Sequence, residues 1–165
     1  MAPMGLGPAS AVITRSQGEL ALGPNQAGQL QHGFGFSLTV PHGAVTDTTR
    51  FEFRPLTGTS VLTGPPGLFY AHRAFELTAF RFGEEVRQFN RPLTLTLTYS
   101  NTDVAGLNRD SLRLWYRNGK GEPWAMLGEP ARHVSGTLDV ITTHFTEFAL
   151  FAEGETKVFL PMLSR

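Results

Sequence analysis

Leu93-Thr94-Leu95-Thr96-Leu97-Thr98-Tyr99 alternates apolar and hydroxyl side chains over its whole length. Successive side chains of a strand point to opposite faces, so this run sets its leucines on a core and its threonines in water. A helix would scatter the same leucines around its circumference. Pro92, which has no N–H to give to a ladder, is expected to open the strand.

Working outward, the same two-residue period recurs. Phe34, Phe36, Leu38 and Val40 alternate with Gly35, Ser37 and Thr39 and stop at Pro41. Phe51 and Phe53 carry the pattern within Thr49–Leu56, and Phe75, Leu77 and Ala79 carry it again. Downstream, Leu112–Tyr116 and Trp124–Leu127 flank Asn118-Gly119 and Gly121, a hairpin signal, so those two runs are expected to pair. Ala11–Thr14 and Glu19–Leu22 read as short opening strands, and Gly23–Gly28 and Gly58–Gly67 as loops. Phe82-Gly83-Glu84-Glu85 reads as a turn, and Asn101–Asp110 as a break with a short helical turn around Asp103–Leu107. Leu138–Thr142 is a strand. His144–Phe151 reads as one more, with Phe145, Ala149 and Phe151 on one face and Phe148 and Leu150 on the other. Apolar residues on both faces mark a central strand covered on both sides.

These readings predict an all-β chain, an antiparallel two-sheet β-sandwich with short turns and little helix. Eighteen glycines, eleven prolines and thirteen phenylalanines fit short strands joined by many turns. The 165 residues suit one domain. The expected division is an N-terminal segment, 1–32, whose short strands belong to the same domain, the sandwich proper at 33–152, and a C-terminal tail at 153–165.

Composition also narrows function. Fourteen basic and fourteen acidic residues give a formal charge of zero, so no electrostatic footprint for nucleic acid is present. With no cysteine, a disulfide framework, a thiolate zinc site and a cysteine nucleophile are all excluded. No apolar run is long enough to span a bilayer, Val158–Leu163 included, and Met1–Ser10 lacks the basic n-region of a signal peptide. Few lysines, many threonines and glycines, and the sandwich pattern suggest a secreted or cell-surface module.

Two stretches resemble known families. Leu38-Thr39-Val40-Pro41-His42-Gly43-Ala44-Val45 and Phe89-Asn90-Arg91-Pro92-Leu93-Thr94-Leu95 resemble the ZU-five sandwich of netrin receptors and ankyrins, where a Val-Pro-x-Gly-Ala corner and a Phe-x-x-Pro-Val-x-Leu strand recur. His144-Phe145-Thr146-Glu147-Phe148-Ala149-Leu150 is similar to the cleavage site of the GAIN domain of adhesion receptors, where a His-Leu-Thr-x-Phe-Ala-Val strand cuts itself. It also resembles the His-Phe-Ser site of autoproteolytic nucleoporin and ZU-five domains. The receptor sites sit beside paired cysteines and tryptophans, whereas this chain has no cysteine. An unstapled version of the same strand on a bacterial surface protein would fit.

The resemblance implies a single-turnover reaction with His144 as base, Thr146 as nucleophile and Phe145 as acyl donor. The residue types suit that chemistry. His144 and Thr146 are separated by one residue, so on a straight strand they would share a face, with the imidazole in reach of the hydroxyl. Attack of Thr146 Oγ on the Phe145 carbonyl would form a backbone ester, and water would hydrolyse it. The partner would then be the chain's own C-terminal fragment, Thr146–Arg165, held noncovalently. The competing reading is a noncleaving structural or adhesive module, one domain of a larger surface protein, in which the strand is only core.

Other residue types point to less. His32, His42, His72 and His133 lack ligand spacing, so neither a metal nor a cofactor is expected. Asn101, Asp103 and Asp110 lack the calcium-loop pattern. Glu84 and Glu85 are adjacent, which points them to opposite faces and unsuits them as a glycosidase pair. Trp115 and Trp124 could form a carbohydrate platform or pack across strands. The apolar tail Val158–Leu163, ending Ser164-Arg165, could dock on a partner, serve a sorting system or form an edge strand. No enzyme acting on an external substrate is indicated.

Overall fold

The computed structural model describes residues 12–15, 18–33, 35–56 and 64–155. Ala11, Phe34, most of the Gly58–Gly67 loop and the apolar tail from Val158 lie outside those residues.

The described strands are β1 (Val12–Arg15), β2 (Glu19–Leu22), β3 (Ala27–His32), β4 (Phe36–Val40), β5 (Thr49–Pro55), β6 (Leu68–Arg81) and β7 (Glu84–Glu85). They continue with β8 (Gln88–Thr98), β9 (Arg113–Arg117), β10 (Ala125–Met126), β11 (Arg132–Val134), β12 (Thr137–His144) and β13 (Glu147–Glu153). One sheet runs β1-β3-β4-β8-β12-β11 and the other β10-β9-β13-β6-β5-β2, with β7 also paired to β6. Among these strands only β1 and β3 pair parallel. The protein is an all-β two-sheet sandwich.

The core lies where alternation placed it. Leu93, Leu95 and Leu97 of β8 are fully buried and meet Leu38, Phe36, Val140 and Leu138 across the strand pairs on either side. From the second sheet, Phe51, Phe53, Phe75, Leu77, Phe148 and Leu150 close on them. Phe36, Phe53 and Phe75 form one aromatic chain, with ring centroids 4.2 Å apart in the first pair and 5.4 Å in the second.

The Val40-Pro41-His42-Gly43-Ala44 corner carries the chain from one sheet to the other. The Ala44 N–H bonds to the Pro41 carbonyl at 3.2 Å, and Gly43 takes φ +86°. The corner needs glycine for that backbone angle, and a Cβ there, 2.9 Å from Arg91 Nε, would also make the arginine side chain shift.

Several boundaries differ from the sequence reading. Ala27–His32 is a strand whose first two residues fell in the expected loop. It offers one large apolar side chain, Leu30, and a Gly28 that lets Leu22 approach to where a Cβ would be 2.6 Å away. β8 opens at Gln88 rather than Pro92. Pro92 sits where the β8–β12 ladder is interrupted, between the pairs Leu93↔Thr142 and Gln88↔His144, so its missing donor leaves no ladder bond unmade. The helical turn falls at Arg109–Ser111, capped by Asn108 Oδ1 accepting from the Asp110 N–H at 3.0 Å, and not at Asp103–Leu107.

Candidate functional site

His144–Phe151 is not one strand. β12 ends at His144 in the first sheet, β13 begins at Glu147 in the second, and Phe145-Thr146 is the bridge between them. His144 and Thr146 therefore do not share the face of a straight strand. Phe145 also lies on the other side from that expected. Its ring joins Phe148 and Leu150 in the main core, between Phe51 at 5.9 Å and Phe89 at 4.8 Å, whereas Ala149 and Phe151 face outward.

The bridge is anchored once on each sheet. The Phe145 N–H donates to the Arg87 carbonyl at 3.0 Å, beside the start of β8. The Thr146 carbonyl accepts from the Leu77 N–H of β6 at 3.1 Å. A crossing held this way is fixed at both ends by backbone bonds and in the middle by the buried Phe145 ring.

His144 is wrapped by its own strand. Thr142 Oγ donates to the His144 carbonyl at 2.9 Å, and the same oxygen accepts from the His144 N–H at 3.2 Å. His144 Nδ1 is 3.4 Å from it as well. Because the Thr142 hydroxyl proton is already given to a carbonyl, Nδ1 can meet that oxygen only as a donor. With Nδ1–H donating there, the lone pair of the neutral ring falls on Nε2. Nε2 is buried and has no hydrogen-bond partner among the described residues. The ring stands edge-on to Tyr116 at 4.6 Å and lies 6.2 Å from Phe148. Burial among these groups pushes the imidazole below its ordinary value, which keeps it neutral.

Thr146 is buried, 7% exposed, and its hydroxyl donates to the Arg117 carbonyl of β9. No hydrogen bond joins it to His144 among the described residues. The two side chains nevertheless converge on one dipeptide of β9, the imidazole on the Tyr116 ring and the hydroxyl on the Arg117 carbonyl.

Sequence reasoning missed Thr142, Arg117 and Glu147. Glu147 opens β13 directly opposite Arg117. Their side chains pair at 2.7 Å while 5% and 14% exposed, and the guanidinium lies 4.5 Å from the Trp124 ring centroid. The available signal was the end of Arg113-Leu114-Trp115-Tyr116-Arg117, just before Asn118-Gly119. An arginine there reads as a solvated strand end, and only the tertiary structure buries it. A groove of about 500 Å³ opens beside it, lined in part by Pro65, Pro66, Lys120, Pro123 and Trp124.

The remaining candidates lie apart from this site. Glu84 and Glu85 are exposed on β7, and His42 and His72 are exposed. His32 packs on Phe53 at 4.7 Å, and His133 Nε2 is 2.5 Å from the Tyr99 hydroxyl. Asp103 is tied to Arg73 at 3.0 Å and to Ser100; burial pushes its carboxyl up, but the Ser100 hydrogen bonds and then the Arg73 cation hold it below the usual range. Among the described residues no acidic or histidine cluster could hold a metal ion, and no helix is long and apolar enough to cross a membrane. Trp115 and Trp124 pack on the outer cluster of Ala74, Ala149 and Phe151. No protein-family model matches the chain, and no curated protein matches it either.

Proposed function

We propose that this chain is a self-cleaving β-sandwich domain that cuts its backbone between Phe145 and Thr146. The observation that carries the reading is His144 Nε2: a buried ring nitrogen with no hydrogen-bond partner among the described residues, two residues from a buried hydroxyl on the bridge between the sheets. A buried nitrogen left unpaired costs stability, about 1–3 kcal/mol, and such exceptions call for a use. Accepting a proton is the use an imidazole lone pair has. The likeness of His144–Leu150 to self-cleaving strands supports the same assignment.

In the reaction, Thr146 turns its hydroxyl from the Arg117 carbonyl, gives the proton to His144 Nε2 and attacks the Phe145 carbonyl carbon through Oγ. The tetrahedral adduct collapses by breaking the Phe145–Thr146 C–N bond. The departing amine takes the proton back from His144, and the Phe145 acyl group is left as an ester on Thr146 Oγ. Water then hydrolyses the ester, giving a carboxylate on Phe145 and restoring the Thr146 hydroxyl beside a new amino terminus. The C-terminal fragment that begins at Thr146 is held after the cut, because β13 runs between β9 and β6 and buries Phe148–Ala152. The product is a noncovalent pair of fragments, on a secreted or cell-surface protein by the composition.

One observation favours the noncleaving module instead. The Thr146 hydroxyl is occupied by the Arg117 carbonyl, and releasing it costs about 1 kcal/mol before any chemistry begins. Intact mass under denaturing conditions separates the readings. Self-cleavage gives two fragments meeting between Phe145 and Thr146, retained by Thr146→Ser, lost in Thr146→Ala and slowed strongly in His144→Ala. A single full-length mass after prolonged incubation leaves the structural module standing, and equal cutting of wild type and Thr146→Ala identifies a contaminating protease.

A further inference from the structure

Arg117 is the residue around which the bridge is built. Its carbonyl takes the Thr146 hydroxyl, its guanidinium takes the carboxylate of the next residue, Glu147, and its neighbour Tyr116 supports the His144 ring. Glu147 and Arg117 are register partners, so the ion pair spans two strands at the shortest cross-strand distance available to it. The pair is 5% and 14% exposed, and Trp124 covers the guanidinium. A charge-assisted bond from an Arg fork is directional as well as strong, so it fixes where the first residue of β13 sits on β9.

That placement matters only if something upstream must be aimed. Glu147 faces a second carboxylate on its other side, Glu76 of β6, which is paired with Arg54 of β5. The row across four strands therefore reads Arg54, Glu76, Glu147, Arg117. Two like charges stand directly opposite each other at its centre, an arrangement that destabilises the β6–β13 pairing locally. Without Arg117, Glu147 would be drawn toward solvent, and the residue before it would move with it. A bare stabilising contact needs no such design, since an apolar pair of the same size does as well or better in a buried site.

We propose that Arg117 is a positioning residue for the cleavage, fixing Thr146 against β9 through its ion pair with Glu147; this rests on the self-cleavage reading. A displacement near 1 Å of a reacting group costs about a hundredfold in rate. The loss expected here is of that order.

The test follows the appearance of the two fragments by denaturing intact mass during cell-free synthesis of the full chain, with urea unfolding of each purified product alongside. Arg117→Lys, which keeps the charge but not the fork, is expected to cleave several-fold more slowly. The double variant Arg117→Met with Glu147→Leu replaces the pair by apolar groups of similar size and is expected to keep wild-type stability while cleaving roughly a hundredfold more slowly. Hydroxylamine added during synthesis converts any ester to a Phe145 hydroxamate, so its yield shows whether the slowed step is ester formation, as the proposal requires. Cleavage of the double variant at the wild-type rate overturns the positioning role and leaves the self-cleavage reading intact. An uncut wild type overturns both. A loss of cleavage that only tracks a loss of stability across Arg117→Lys, Arg117→Met and the double variant reduces Arg117 to a structural residue.

Discussion

Strand β8 and strand β13 sit in the middles of the two sheets and bury their inner faces alike, yet their outer faces differ. β8 turns Thr94, Thr96 and Thr98 outward, half-buried or exposed, with Thr96 bonded to Asp139 at 2.8 Å. β13 turns Ala149 and Phe151 outward, both with no exposure, under Tyr70, Trp115 and Trp124. One sheet faces water and the other carries a second, small core on its back. The difference teaches why the candidate site lies at the head of β13. A strand packed on both faces fixes the residues beside it, and the burial that hides His144 Nε2 and Thr146 from solvent is the burial that anchors β13.

Phe151→Ala tests that second core most severely. The ring is unexposed, 5.4 Å from Trp124 and 6.2 Å from Tyr70, so truncation is expected to cost about 3–5 kcal/mol in urea unfolding, close to the cost of Phe148→Ala on the inner face. A Phe151→Ala cost below about 1 kcal/mol would reduce β13 to the same one-sided status as β8 and remove the basis for the comparison.

The two strands also differ in how much of them could be read in advance. β8 announced itself, because one face meets water and alternation is then enforced residue by residue. β13 was legible as central but not in extent or facing. Phe145 looked continuous with Ala149 and Phe151, since an apolar run carries no mark of the point where the chain leaves one sheet for the other. The interruption that makes the bridge is tertiary: the Arg87 carbonyl accepts from the Phe145 N–H and the Leu77 N–H donates to the Thr146 carbonyl, and neither is near in sequence. β3 was missed for the opposite reason, because Gln29 and Gln31 flank its one large apolar residue. The tripeptide His144-Phe145-Thr146 was legible as a motif. Its surroundings, Thr142 against the imidazole and Arg117 holding Glu147, depend on contacts that no spacing rule encodes.

A pH series sharpens the comparison by placing charge at each region in turn. Burial lowers the imidazole of His144, at the end of β12 beside β13, and that of His133, on the edge of the sheet that contains β8. In both, the fold favours the neutral form, so the unfolded chain takes up protons first as pH falls. Stability is then full above the unfolded value of about 6.5, declines as pH drops from there toward the folded values, and levels off below them. Urea midpoints measured between pH 7.5 and 5 are expected to fall with acidification. His144→Gln should flatten that decline more than His133→Asn, because the His144 ring meets the Thr142 hydroxyl and the rings of Tyr116 and Phe148, whereas a charge on His133 is favoured by Asp110. An equal flattening by the two would mean that the crossing is no drier than the sheet edge.

The smallest expected effect is at Thr94, in the middle of the outward face of β8. Its register partners are Thr39 on β4 and Ile141 on β12, and Ile141 is 50% exposed. Valine keeps the branched shape that a pleated surface favours and removes a hydroxyl for which water is the natural partner. Thr94→Val should therefore change the unfolding free energy by no more than about 0.5 kcal/mol. Ala149→Val is the matched substitution on the back of β13, where the added methyls must enter space already held by Trp115, Trp124 and Phe151, and overpacking of that kind costs about 1–3 kcal/mol. Both changes add a branched apolar group to an outward position of a central strand. If they cost the same, the back of β13 is as open as that of β8, and the tight packing that would hold Thr146 in place is absent.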